Sequence, residues 1–87
     1  MAHTVEVLPA AARQLRALPE DARRRIARAI DRLAEDPRRP GVTVLHAEEL
    51  IFRLRVGDYR VLYQIHDDRL IVVVVKVGHR RDVYRNL

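Results

Sequence analysis

Apolar residues recur at three- and four-residue intervals through much of the first half of the chain and at every second position from residue 50 onward. In the 50–65 segment, LIFRLRVGDYRVLYQI, Leu50, Phe52, Leu54 and Val56 fall on one side of an extended chain and Ile51, Arg53 and Arg55 on the other, the pattern of a half-buried strand. Gly57-Asp58 is a turn dipeptide, because glycine tolerates positive φ and aspartate can bond its own backbone, so residues 59–66 are expected to fold back as a second strand. There Tyr59, Val61, Tyr63 and Ile65 share one face, and Arg60, Leu62 and Gln64 the other. A register that sets Arg60 near Arg53 or Arg55 gathers like charges on one surface, at a cost between cross-strand neighbours. Such a cost, with no visible benefit to folding, points to an anionic partner.

The preceding pattern predicts a short first strand over residues 4–8, ended by Pro9, and an amphipathic helix over residues 10–18 with Ala11, Leu15 and Leu18 on its apolar side. Pro19, Glu20 and Asp21 form a start signal for a second helix, whose stripe is Ala22, Ile26, Ala29, Ile30 and Leu33 and whose stop is Asp36-Pro37. The basic face of that helix reads first as a solvated one. DPRRPG at residues 36–41 is a loop, residues 42–46 a short edge strand and residues 47–49 a turn. His66-Asp67-Asp68 looks like a further hairpin turn leading to LIVVVVKV at residues 70–77, which is apolar on both faces until Lys76 and reads as a central strand. Gly78 ends it, and HRRDVYRNL at residues 79–87 is a polar tail with Val83 and Tyr84 as anchors.

These elements make a small α+β domain spanning residues 1–87: an N-terminal strand, a helical hairpin and an antiparallel twisted sheet, with both helices on one face and the other face left for function. A chain of 87 residues buries only about 60–65% of its unfolded surface, which leaves no room for a second lobe. Cysteine is absent, and no apolar run reaches the roughly 18 residues of a membrane span, so the expectation is a cytoplasmic protein with no membrane partner. The formal net charge is +5, with sixteen arginines beside the single Lys76, a balance that favours nucleic acid, an acidic protein or an anionic surface as partner.

Candidate chemistry is narrow. His3, His46, His66 and His79 lack metal-ligand spacing, so no metal or cofactor is expected; the acidic pairs fall in turns; and without serine or cysteine a protein nucleophile is hard to build. Arg53, Arg55 and Arg60 remain on the hairpin, with His79, Arg80, Arg81, Tyr84 and Arg85 after the long apolar strand. Such a cationic surface suits phosphodiester chemistry in which RNA supplies its own 2′-hydroxyl nucleophile, while guanidinium groups stabilise charge growing on the phosphoryl oxygens. Arginine does not serve as a base, so proton transfer falls to Tyr84 or His79, or to a group supplied by the partner. Tyr84 reads equally as an aromatic anchor, and His79 as a hydrogen-bonding residue at a strand end.

RLRVGDYRVLY followed by VGHRRDVYR, together with the LPEDARRRI helix and the DPRRPG loop, resembles the RelE/ParE superfamily of type II toxins, in its RelE-like branch, over essentially the whole chain. The resemblance implies a compact α+β toxin that enters the ribosomal A site and cleaves messenger RNA by 2′-hydroxyl attack, leaving a cyclic phosphate. It also implies a cognate antitoxin that wraps the toxin, the complex reaching operator DNA through the antitoxin. Arg60 matches the arginine of the family's tyrosine-arginine pair, Arg80 the arginine after the long strand and Tyr84 the C-terminal tyrosine. Arg53 falls where a basic residue contributes to the site, and Arg55, His79, Arg81 and Arg85 are expected to bind substrate. Ile51 and His79 stand where the best-known branch member has lysines, so this site is less basic at two points. A ParE-like inhibitor of DNA gyrase on the same fold is the alternative, and a plain nucleic-acid-binding protein the third reading.

Overall fold

The computed structural model describes residues 3–46 and 51–83. Its elements are β1 (Thr4–Val7), α1 (Pro9–Arg16), α2 (Glu20–Leu33), β2 (Thr43–His46), β3 (Ile51–Val56), β4 (Tyr59–His66) and β5 (Ile71–His79). The strands form one sheet in the order β1-β5-β4-β3-β2. β2 to β5 run antiparallel, whereas β1 lies parallel to β5 with Thr4 opposite Ile71 and Val7 opposite Val74. The anticipated α+β fold is therefore present with a mixed sheet, and the helical hairpin carries the chain from one sheet edge to the other. The turn expected at residues 47–49, with Leu50, falls outside the described residues.

Local signals set both helices. Pro9 begins α1, where its missing N–H costs nothing. α2 starts after Pro19 with Glu20 and Asp21 in its first turn, where carboxylates complement the helix dipole, and Glu20 also pairs with Arg24 one turn on. Ala11, Ile26, Ile30 and Leu33 are buried with Phe52, Leu54, Val61, Tyr63, Ile65, Val72, Val74 and Val77, and Leu15 and Leu18 pack against them. α1 lies mainly over β5, where Gln14 Oε1 accepts the Val77 N–H at 2.8 Å. Close by, the β4–β5 ladder slips: Leu62 pairs with Lys76 but Tyr63 with Val74, which leaves Val75 with no residue opposite.

The long apolar strand is interior but not central. β4 occupies the middle of the sheet, with Arg60, Val61, Leu62 and Tyr63 all buried, while the side of β5 away from the helices, at Ile71, Val73 and Val75, is half-buried. An apolar run reports that a strand has neighbours on both sides, not which strand has the most cover.

One corner of the molecule is tied by polar contacts. The buried Tyr63 hydroxyl donates to Pro37 O at 2.6 Å, fastening the chain as it leaves α2, and its ring stacks on Phe52 at 5.7 Å. Burial pushes the Tyr63 phenol up, which keeps it a donor. Arg38 lies over Phe52 and donates to both Asp67 carboxylate oxygens, at 3.1 and 2.7 Å; His3 Nε2 lies 3.4 Å from the same carboxylate. The Arg38 guanidinium, with a smaller contribution from His3, holds the Asp67 carboxyl below the usual carboxylate range.

Two outcomes follow for stability. Tyr63→Phe leaves the Pro37 carbonyl without its buried donor and is expected to cost about 1–3 kcal/mol, read as a lower urea midpoint with unchanged m. Because the folded pKa of Asp67 is depressed, its contribution is present above the unfolded value, about 3.9, and lost as pH falls through the lower folded value. Asp67→Asn should therefore flatten the acid limb of urea midpoint against pH between about pH 5 and 2, and an acid limb identical to wild type would exclude this tie.

Candidate functional site

The sheet face away from the helices carries Ile51, Arg53 and Arg55 of β3, Arg60, Leu62 and Gln64 of β4, and Lys76 and Gly78 of β5. Register sets Arg55 directly opposite Arg60, Arg53 opposite Leu62, Leu62 opposite Lys76 and Arg60 opposite Gly78. The like-charge crowding anticipated from the alternation is thus a direct cross-strand pair. The two side chains resolve it by diverging in environment. Arg55 is exposed, whereas Arg60 is only 6% exposed and its Nη1 donates to Gly57 O at 3.0 Å and Tyr59 O at 2.8 Å. Carbonyl dipoles on both sides of the turn thereby take the place of water around a buried cation. Gly57, at φ +59°, supplies the left-handed conformation the turn needs.

The segment after β5 folds over this face. Asp82 and Val83 N–H groups bond to His79 O at 2.9 and 3.0 Å, and Val83 is buried in a small second core with Ile51 and Leu62. The Arg80 N–H donates to Asp58 O at 2.8 Å. The β3–β4 turn is thus gripped twice, by the Arg60 guanidinium at residues 57 and 59 and by the Arg80 backbone at residue 58. Arg80 and Arg81 are exposed. Ile51, which resemblance marks as a lysine position, is here an apolar partner for Leu62 and Val83.

The remaining candidates divide between regions. His79 pairs in register with Tyr59, and their rings meet edge to face at 6.0 Å, so His79 shares the Tyr59 side of the sheet rather than that of Arg53 and Arg55. The Arg81 N–H approaches His79 Nδ1 at 3.4 Å. Tyr84 and Arg85 lie outside the described residues. Arg53 and Arg55 line one cleft of about 430 Å³ with Arg39, Pro40, Gly41 and Thr43, and Arg53 Nη2 donates to Thr43 Oγ1 at 3.4 Å. Sequence reasoning missed Arg39; its only signal was the paired arginines of the DPRRPG loop. Guanidinium forks lining such a cleft, Arg55 exposed and Arg39 and Arg53 half-buried, suit bidentate contact with phosphate oxygens. Among the described residues, no group of three or more His, Asp or Glu side chains is arranged to hold a metal ion, and no helix is long and apolar enough to cross a membrane.

Comparison with known proteins agrees with this geometry. The sequence profile described as "ParE toxin of type II toxin-antitoxin system, parDE" matches residues 5–84. The chain is 35% identical over 86 residues to Toxin RelG of Mycobacterium tuberculosis, covering 98% of this chain and 99% of that one. Its fold superposes on the toxin-antitoxin complex RelBE2 of M. tuberculosis with a TM-score of 0.82 at 32% identity, over 92% of this chain and 100% of that chain. The archaeal RelE-RelB complex of Pyrococcus horikoshii gives 0.81 at 26% identity, over 95% of this chain and 100% of that chain. The strand order, the arginine-bearing hairpin and the whole-length matches agree: this chain belongs to the RelE/ParE superfamily of type II toxins.

Proposed function

We propose that this toxin cleaves messenger RNA in the A site of the ribosome. The observation that carries the reading is the exposed Arg80, its backbone pinned to the β3–β4 turn at the start of the segment that folds over the face bearing Arg53 and Arg55. In the step, the ribose 2′-hydroxyl of the message attacks the adjacent phosphorus and loses its proton. The bond from phosphorus to the 5′-oxygen of the next nucleotide breaks, and that oxygen takes up a proton. The products are a 2′,3′-cyclic phosphate and a 5′-hydroxyl. Charge building on the phosphoryl oxygens is met by the Arg80 guanidinium, with Arg53 beside the scissile phosphate and Arg55, Arg81 and Arg85 on the flanking backbone. Tyr84, next in the chain after Val83, is assigned the proton transfer, and His79, edge to face with Tyr59, supports the end of β5 and binds substrate there. Arg60 contributes through its grip on the turn and as a positive charge close behind the reacting phosphate. The chemistry draws on no metal ion. The relatives seen as complexes with antitoxins support a cognate antitoxin as regulator, a segment that folds onto the cationic surface and competes with RNA.

The family description as a ParE toxin favours a second reading, inhibition of DNA gyrase without catalysis by the toxin itself. Purified gyrase separates the two: the A-site reading expects supercoiling to continue at toxin concentrations that cut message.

Primer extension on translating ribosomes gives the direct measurement. Wild-type toxin should produce A-site cuts, and Arg80→Ala should slow them about 10²–10³-fold, the usual loss when one donor to a developing oxyanion is removed. Wild-type toxin without cuts, or undiminished cutting by Arg80→Ala, removes the proposal. Arg60→Leu strands the Gly57 and Tyr59 carbonyls and is expected to cost about 1–3 kcal/mol in urea unfolding. The same variant should lose exchange protection at the Arg80 amide, whereas full protection there would show that the turn does not depend on Arg60.

A further inference from the structure

A second concentration of charge lies between α2 and the end of β3. β2 pairs with β3 only as far as Arg53, so beyond it the edge of β3 borders a cleft toward α2. This cleft of about 360 Å³ is lined by Arg25, Arg28, Arg32, Arg39 and Arg55, with Ala29, Leu54, Val56 and Gly57 as the rest of its wall. Arg25, Arg28 and Arg32 follow one another at helical intervals of three and four residues, which brings neighbours on one face of α2 roughly 5–6 Å apart. The Arg25 guanidinium lies across Gly57: a Cβ there would stand 3.2 Å from its Nη2. Among the described residues none of these five arginines forms an ion pair; the carboxylate of α2 that does pair, Glu20, is taken by Arg24. Five like charges around one cleft repel one another, and no salt bridge within the described chain relieves them.

We infer that this α2–β3 cleft is a second nucleic-acid site, in which Arg25, Arg28, Arg32 and Arg39 hold the phosphates of an RNA strand other than the one offered to Arg80, with Arg55 at the border between the two sites. Three features favour RNA over an acidic polypeptide. The cations are all guanidinium forks, which take phosphate oxygens in pairs. Three of them repeat regularly along a helix, as phosphates repeat along a strand. The apolar wall is limited to Ala29, Leu54 and Val56, of which Leu54 is already buried, so a peptide helix or strand would find few pockets for anchoring side chains. The phosphate chemistry is independent of the cleavage reading; the choice of RNA over DNA rests on it.

The test uses the full chain with Arg80→Ala in every arm, so that no RNA is cut, and follows the fluorescence anisotropy of a labelled RNA hairpin from 50 to 300 mM KCl. Adding R25Q/R28Q/R32Q should weaken binding about tenfold or more at 0.1 M salt and reduce the slope of log K against log salt by about 2–3, three phosphate contacts' worth. The charge-matched control R13Q/R16Q/R69Q removes three exposed arginines elsewhere and should change affinity less than about threefold. Glutamine is a good helix former, and unchanged circular dichroism and urea midpoint confirm that both variants fold. The lysine set R25K/R28K/R32K should retain most of the salt slope. Equal losses in the cleft variant and its control, no RNA binding at 50 mM, tighter binding of a DNA duplex of the same length, or displacement of RNA by a poly-glutamate peptide at equal phosphate and carboxylate concentration would each overturn the assignment. The outcome is separate from cleavage: A-site cuts can be absent while the cleft variant still loses its slope, and the reverse.

Discussion

Leu62 is wholly buried on the sheet face away from the helices, and much of the site depends on how it is covered. The helices serve the opposite face, so cover has to come from the chain beyond β5. Val83 provides it together with Ile51, and the two N–H bonds to His79 O set the turn that delivers Val83 to Leu62. Burying a valine side chain contributes on the order of 1.5–3 kcal/mol, enough to hold a short polar segment against its conformational entropy. Arg80, three residues before Val83, is carried along with the segment, and its N–H then finds Asp58 O. A packing requirement of the central strand thus positions Arg80, and it accounts for an apolar Ile51 where the resemblance leads one to look for lysine.

Arg60 illustrates the balance of electrostatic effects on this face. Two guanidinium groups on directly opposed strand positions repel, and desolvating either one alone is costly. Leaving Arg55 in water screens the pair, while the Gly57 and Tyr59 carbonyls repay part of the desolvation of Arg60 with directed hydrogen bonds. Gly78 opposite Arg60 brings no side chain to compete for the space. The turn is held by the very charge whose burial it has to offset, and the Arg80 backbone is bonded to that same turn.

Legibility in the sequence followed the strength of the local signal. The β3–β4 hairpin was readable because alternation, turn dipeptide and return alternation agree, and both helices opened at a proline, α2 with acidic residues behind it, in register with their apolar stripes. The parallel pairing of β1 was not, since four weakly alternating residues contain no information about which strand they join. The long run from Leu70 to Val77 pointed to the wrong centre: apolarity on both faces cannot say that β4, interrupted by Arg60 and Gln64, sits in the middle instead. The bulge at Val75 was equally hidden, and it sets how the end of β5 lies against β4. At the site, alternation read Arg53 and Arg55 correctly as pointing away from the core, but it could not tell that Arg60 would turn inward to carbonyls or that His79 would share a side with Tyr59. Arg39 came from a loop, where no periodicity exists to place it.

The same limit applies to α2. Its arginines satisfy every criterion of a solvated helix face, and in isolation that reading is sound. What changes it is tertiary: the DPRRPG loop, fastened by the Tyr63–Pro37 bond, brings Arg39 to the side of the cleft, while the end of β3 brings Arg55. Five cations then share a space that the helix alone would have left open to water. The repulsion is weak enough, at an effective dielectric near that of solvent, for a small domain to tolerate at physiological salt, yet it favours any polyanion that enters. Charge that is merely solvated on a helix becomes a shared cationic cleft once a second element closes over it.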